Sequence, residues 1–263
     1  MMTLIQINHE IWEGVPLLIC TNTELADKPL PTITYLHGIT GAKEDNLSIG
    51  YLLAERGFRV ILPDAHLHGE REQAATDQLE LYFFDIIQSS ITELAIIYEK
   101  LNQDRLIKNG SFTLAGTSMG GITTAAALTI YPWISQAGIM MGTALFHRFA
   151  ESIIKQTEAS GIELPFSKQE LTDLLNGVKQ YDLSLNLDQL QNRPLFIWHG
   201  EKDQVVPFEH ATVFYDQLRQ EQADAETITF VSEKNTGHKV SRQARLALVD
   251  WITKMNRPIK QRR

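Results

Sequence analysis

The chain has 263 residues, a net charge of −8 and a single cysteine, Cys20. That length can bury one large α/β core, while the negative balance removes any general electrostatic case for nucleic acid or an anionic membrane. One thiol excludes an intrachain disulfide and fits a reducing compartment. The start has no basic segment followed by a long apolar run, and no apolar stretch is long enough to span a bilayer. A cytoplasmic protein with no nucleic-acid or membrane partner is expected.

Residues 3–12 and 15–21 read as two strands joined at Glu13-Gly14, a hairpin signal. Residues 22–31 are polar, contain two prolines and read as a loop. A β-branched strand follows at 32–36 and ends at His37-Gly38. Asp45 or Asn46 can cap a helix to about 55, stopped by Gly57. The next strand is 58–62, then a polar loop to about 76. Apolar residues at Leu79, Phe83, Ile86, Ile87, Ile91, Leu94 and Ile97 predict a long helix over 77–103. Strands are expected at 112–115, 136–141, 195–199 and 227–231, with helices at 208–219 and 240–255. Strands alternating with helices predict a mainly parallel sheet covered on both faces. The stretch 144–192 breaks that rhythm. Its two helical patterns, 145–157 and 167–180, predict an insertion over the strand ends within a single domain spanning 1–263. The basic end, 257–263, reads as a solvated tail.

Gly116-Thr117-Ser118-Met119-Gly120 is a Gly-x-Ser-x-Gly sequence between an apolar strand and a helix-compatible run. This is the setting of a nucleophile elbow, a turn too tight for side chains at the flanking glycines. A serine hydroxyl needs a base to take its proton, and the base needs a carboxylate to orient it. In an open α/β sheet these groups belong where strands hand over to loops. Asp203 follows the strand at 195–199, and His238 follows the last strand, so the order is Ser118, Asp203, His238. Glu201 competes as the acid, two residues away; Asp203 is preferred because it lies further into the loop. The oxyanion donors are expected to be the amides of Met119, at a helix N-terminus, and Ile39, in the loop after His37-Gly38.

Together, His37-Gly38-Ile39-Thr40-Gly41, Gly116 to Gly121, His199-Gly200-Glu201-Lys202-Asp203-Gln204-Val205-Val206-Pro207 and Gly237-His238 resemble the α/β-hydrolase superfamily. More narrowly they are similar to small bacterial esterases of the prolyl-oligopeptidase-like and dienelactone-hydrolase-like branch. The resemblance implies an α/β-hydrolase fold: an eight-stranded, mainly parallel sheet flanked by helices, here with a small helical cap. It also implies a Ser-His-Asp triad, no cofactor or metal, and hydrolysis of carboxylic esters. Dienelactone hydrolases use a cysteine nucleophile, whereas this elbow holds Ser118, which argues against their chemistry.

Asp64-Ala65-His66-Leu67-His68-Gly69-Glu70-Arg71 invites a metal reading, but the spacing is weak and serine chemistry needs none. By the same resemblance this loop borders the cleft, so His66, with His37, is expected to contact substrate. Phe146 and Phe166, with Trp133 and Phe149, are candidates to line an acyl pocket; His147 and His199 read as structural. The expected activity is a serine carboxylesterase on small short-acyl esters, as monomer or homodimer. A peptidase or amidase with the same triad, and a non-catalytic ligand-binding protein on this scaffold, are the alternatives.

Overall fold

In the computed structural model, which describes residues 3–72, 79–161, 164–221 and 227–257, the chain opens with an antiparallel hairpin. Its strands are β1 (Ile5–Trp12) and β2 (Val15–Asn22). Glu13 and Gly14 both take positive φ, 47° and 82°, the geometry that lets a two-residue turn follow the twist of its strands. Six further strands follow: β3 (Leu30–Leu36), β4 (Arg59–Pro63), β5 (Ile107–Thr117), β6 (Gln136–Met140), β7 (Leu195–Gly200) and β8 (Ile228–Glu233). They form one eight-stranded sheet in the order β1-β2-β4-β3-β5-β6-β7-β8. The pairs β1–β2 and β2–β4 are antiparallel and the rest parallel, so the sheet is mixed but mainly parallel. From β3 the chain crosses to β4 on one side, then returns past β3 to β5 on the other. Loops leaving β3 and β5 therefore diverge, opening a crevice at a topological switch point.

Helices cover both faces. On one side lie α1 (Leu47–Glu55) and α7 (Arg242–Met255), whose Leu53, Leu248 and Ile252 pack with Tyr35, Val60, Phe196 and Trp198 of the sheet. On the other lie α2 (Phe83–Gln103), α3 (Met119–Ile130) and α6 (Phe208–Glu221). Strand β7 shows the division: Phe196 and Trp198 face the first layer, Leu195 and Ile197 the second. In α2 the buried residues Phe83, Ile86, Ile87, Ile91, Leu94, Ile97 and Leu101 recur at helical spacing. Each such side chain contributes roughly 1.5–3 kcal/mol on burial. Arg193 closes the carboxyl end of α3, donating to the carbonyls of Leu128 (2.7 Å), Tyr131 (2.8 Å) and Ile134 (3.2 Å).

Between β6 and β7 stand α4 (Phe146–Ala159) and α5 (Lys168–Val178). Ser167 starts α5 with a capping box: its hydroxyl accepts the Glu170 N–H, and the Glu170 carboxylate accepts the Ser167 N–H at 2.7 Å.

Three expectations need correction. Strand β3 begins at Leu30 and includes Pro31, because the register with β5 shifts between Leu30 and Thr32; a proline is tolerated at such an irregularity. The segment before α2 is a separate 3₁₀ turn, Leu79–Tyr82, and the expected helix start at Asp77 lies outside the described residues, as do 258–263 of the basic tail. Before α1, the helix-start carboxylate acts one turn earlier: Asp45 accepts the Ala42 N–H at 2.9 Å, while Asn46 makes no side-chain cap.

Candidate active site

The elbow is built by local sequence. Strand β5 ends at Thr117 and α3 begins at Met119, leaving Ser118 alone to reverse the chain. Its backbone sits at φ 54°, ψ −115°, a conformation that costs a non-glycine residue on the order of 1–3 kcal/mol. Two hydrogen bonds hold it there: Ser118 N–H to the Met140 carbonyl and Ile122 N–H to the Ser118 carbonyl, both 2.9 Å. A Cβ on Gly120 would lie 2.3 Å from the Leu36 carbonyl oxygen, so only glycine lets α3 start this close to β3.

The structure brings Ser118, His238 and Asp203 together. Ser118 Oγ is 2.8 Å from His238 Nε2, and His238 Nδ1 is 2.7 Å from Asp203 Oδ2. Asp203 Oδ1 accepts the Val205 and Val206 N–H groups at 2.9 and 3.0 Å. Burial by itself pushes the Asp203 carboxyl up, but hydrogen bonds from His199, His238 and the Val205 amide outweigh it and hold the carboxyl well below the usual range. An ionised carboxylate only accepts, so His238 carries its proton on Nδ1 and presents the Nε2 lone pair to the serine hydroxyl. The loops bearing the acid and the histidine touch at Gly200, where a Cβ would lie 2.4 Å from the Thr236 carbonyl oxygen. Glu201 lies elsewhere, accepting the Ser232 hydroxyl at 2.8 Å.

Beside Ser118, neither the Ile39 nor the Met119 amide donates to any acceptor among the described residues. The Ile39 loop abuts the serine: a Cβ on Gly38 would lie 3.5 Å from Ser118 Cβ. This loop is tied to the one after β4. The Ala65 N–H donates to His37 Nε2 at 3.0 Å, so His37 donates from Nδ1 to the Gly38 carbonyl at 2.8 Å. His68 Nε2 meets the Ile39 carbonyl. Lys43 donates to Asp64 twice, from Nζ at 2.7 Å and from its backbone N–H at 2.9 Å.

Two residues expected to contact substrate, His37 and His66, make other contacts in the structure. Both His37 nitrogens are taken by backbone, and burial lowers its pKa, so the ring shapes the loop and has no hydrogen bond left for substrate. His66 lines a surface depression with Gln88, Thr92 and Glu93 of α2, and none of Ser118, Asp203 or His238 lines it. The carboxylates that raised a metal reading are spent on Lys43: its Nζ lies 2.7 Å from both Asp64 and Glu70.

Of the aromatic candidates, Phe146 and Phe149 are buried in one apolar cluster with Met119, Ile122, Leu67, Phe83 and Val206, partly covered by Ile39. Phe166 is 39% exposed and outside that cluster. Trp133 stacks on Tyr98 at 4.1 Å, beyond the carboxyl end of α3. An α-helix rises about 1.5 Å per residue, so the whole length of α3 separates Trp133 from the elbow. Leu67, Phe83 and Val206 come from three separate loops or helices, and their meeting beside Met119 is not readable from the sequence. Leu67 has φ 62°, unusual for a branched apolar residue, and no local pattern announces it. Cys20 is fully buried on β2, which pushes its thiol up to about 11.

The sheet order, the switch-point crevice and the strand–elbow–helix unit define an α/β hydrolase. The model of the prolyl oligopeptidase family matches residues 46–257, and the chain belongs to that family. YitV of Bacillus subtilis (strain 168), a protein named as a candidate esterase, is 39% identical over 251 residues, 95% of this chain and 98% of YitV. Esterase YjfP of Escherichia coli (strain K12) is 26% identical over 258 residues, again 95% of this chain and 98% of the relative. Among solved structures, TT1662 from Thermus thermophilus superposes with a TM-score of 0.74 at 18% identity, covering 95% of this chain and 97% of that one; it shows the shared fold. The protein is a serine hydrolase. No helix among the described residues is long and apolar enough to cross a membrane.

Proposed function

We propose that the protein is a serine carboxylesterase for small esters with short acyl groups. The observation that carries this reading is the continuous hydrogen-bonded line from Ser118 Oγ through His238 to Asp203, beside two uncommitted amides. Ser118 attacks the ester carbonyl carbon while His238 Nε2 takes its proton. The amides of Ile39 and Met119 meet the developing oxyanion. Asp203 stabilises the imidazolium, which then protonates the leaving alcohol. Water, with His238 again as base, releases the acid from the acyl-enzyme. Two relatives with esterase in their names support the ester class. The small acyl group is supported by crowding, since Phe146, Phe149, Leu67, Phe83 and Val206 occupy the space around Met119, and Ser118 itself is only 8% exposed.

Amide or peptide hydrolysis by the same residues is a second reading, favoured by the prolyl oligopeptidase family match. Matched ester and anilide substrates of graded acyl length, with a fluorophosphonate probe for the nucleophile, test both. The expected result is kcat/KM highest on short-acyl esters and falling beyond butyrate. Ser118→Ala is expected to remove labelling and lower turnover by roughly 10⁴-fold or more while the fold survives. Labelling that persists in Ser118→Ala sinks the mechanism; a preference for the anilides sinks the ester assignment alone.

A further inference from the structure

His199 is the residue before Gly200 at the end of β7, and its side chain is fully buried. Its Nε2 lies 2.8 Å from the Val206 carbonyl oxygen. The same nitrogen lies 3.3 Å from Asp203 Oδ2, the oxygen that receives His238. Its Nδ1 is buried with no hydrogen-bond partner. A lone pair at Nε2 would face two acceptor oxygens, so the ring proton belongs on Nε2. That proton is directed to the Val206 carbonyl, and Asp203 Oδ2 is a second, longer contact of the same nitrogen. The Phe208 ring, with its centroid 6.0 Å away, backs the imidazole.

The longer contact matters because the carboxylate is otherwise anchored on one side only. The Val205 and Val206 amides pin Oδ1. Oδ2 is left to His238, a residue on a different loop, whose own side chain is about one-fifth exposed. Rotation of the carboxylate about its pinned oxygen would carry Oδ2 out of line with His238 Nδ1. His199 sits at the end of β7, a strand paired on both sides, and supplies a second donor to that oxygen. Its bond to the Val206 carbonyl also closes the turn that presents the two pinning amides. We propose that His199 is a positioning residue for the acid: its Nε2–H orients Asp203 Oδ2 toward His238 and closes the Asp203–Val206 turn. The inference rests on the Ser118–His238–Asp203 reading above.

The test is a double-mutant cycle on a short-acyl ester. His199→Leu is expected to lower kcat by about 10- to 100-fold, with KM within about twofold, since it weakens support for charge that develops only in the transition state. His199→Gln places an amide N–H near the Nε2 position and is expected to restore most of that loss. In an Asp203→Ala background, His199→Leu should cost less than about twofold more, because the group it acts through is gone. Should His199→Leu not fold, His199→Asn serves in the cycle; its shorter amide is polar but falls short of Asp203 Oδ2. Equal losses in His199→Leu and His199→Gln, or the same factor lost with and without Asp203, overturn the proposal. Fluorophosphonate labelling of the wild type and of Ser118→Ala keeps its failure separate. Labelling that ignores Ser118 defeats the underlying reading, whereas Ser118-dependent labelling with additive His199 effects defeats this proposal alone.

Discussion

At Asp203 the two carboxylate oxygens face different partners: Oδ1 faces its own turn amides and Oδ2 faces His238. Asp203→Asn leaves a group of the same shape that cannot stabilise an imidazolium and can favour the wrong tautomer. It is expected to fold and to lose turnover by about 10³- to 10⁴-fold. Glu201→Gln is expected to stay within about threefold, because its carboxylate serves the Ser232 hydroxyl. Steady-state kinetics on both variants check the assignment, and reversed severities would name Glu201 as the acid. A second residue-scale consequence concerns pH. Burial lowers the His210 pKa to about 4. Histidine in an unfolded chain titrates near 6.5. Between those values the unfolded chain binds a proton that the folded chain refuses, so stability is full above about 6.5 and falls as pH drops toward about 4. His37, also lowered by burial, has the same sign. Melting temperature should therefore decline between pH 7 and pH 5, and less steeply in His210→Gln. Parallel slopes would clear His210 of the effect.

Among the elements, α4 packs Phe146 and Phe149 into the apolar cluster that holds Met119. Its Phe146 is buried in the cluster around Met119 and stacks on Phe84 of α2 at 5.9 Å. Phe146 also lines a groove of about 180 Å³ bordered by Ile87 and Ile91 of α2 and Leu174 and Val178 of α5. The ring thus stands between the elbow's cluster and a space already open behind it. Phe146→Ala is expected to join the two and to move the acyl optimum toward longer chains, each extra methylene that fits adding up to about 0.8 kcal/mol of burial. Phe166→Ala, removing a side chain 39% exposed at the start of α5, is expected to leave the optimum where it is. Rates across a graded ester series read both outcomes. An optimum that moves with Phe166 and not with Phe146 would place the wall on α5.

Across the whole molecule, the site depends on loops from distant strands holding their places. The loop after β3 and the loop after β4 are tied by Lys43 and Asp64, both almost wholly buried. Burial by itself raises the Asp64 pKa, but the Lys43 ammonium, the Lys43 N–H and the Glu70 N–H bring it below the usual range. Lys43→Met keeps the bulk and strands a buried carboxylate, which costs about 3–5 kcal/mol. It should also loosen the Ile39 loop and lower kcat more than it changes KM. Adding Asp64→Leu removes the orphaned charge and is expected to recover much of the stability. Urea melts of the single and double variants measure this. A double variant weaker than Lys43→Met would show that the pair serves another purpose.

The strand–elbow–helix unit was legible in the sequence because its physics is local. Ser118 must reverse the chain between an apolar strand and a helix, and glycines flank it where no side chain fits. The eight strands, the helical faces and the hairpin at Glu13-Gly14 were legible for the same reason: periodicity and turn chemistry act over a few residues. The positions of Ser118, Asp203 and His238 after the ends of β5, β7 and β8 were legible as well, since apolar runs and turn residues mark strand ends. Only the tertiary structure decided what each side chain meets. Phe166 is 39% exposed and Phe146 is buried, although both lie in one apolar-rich stretch between β6 and β7. The Lys43 partners Asp64 and Glu70, the burial of His37 between two backbone groups, and the approach of His199 to Asp203 join separate loops or residues across a turn. Such contacts depend on register, strand order and loop packing, which pair residues far apart in the chain and leave no mark on the local pattern.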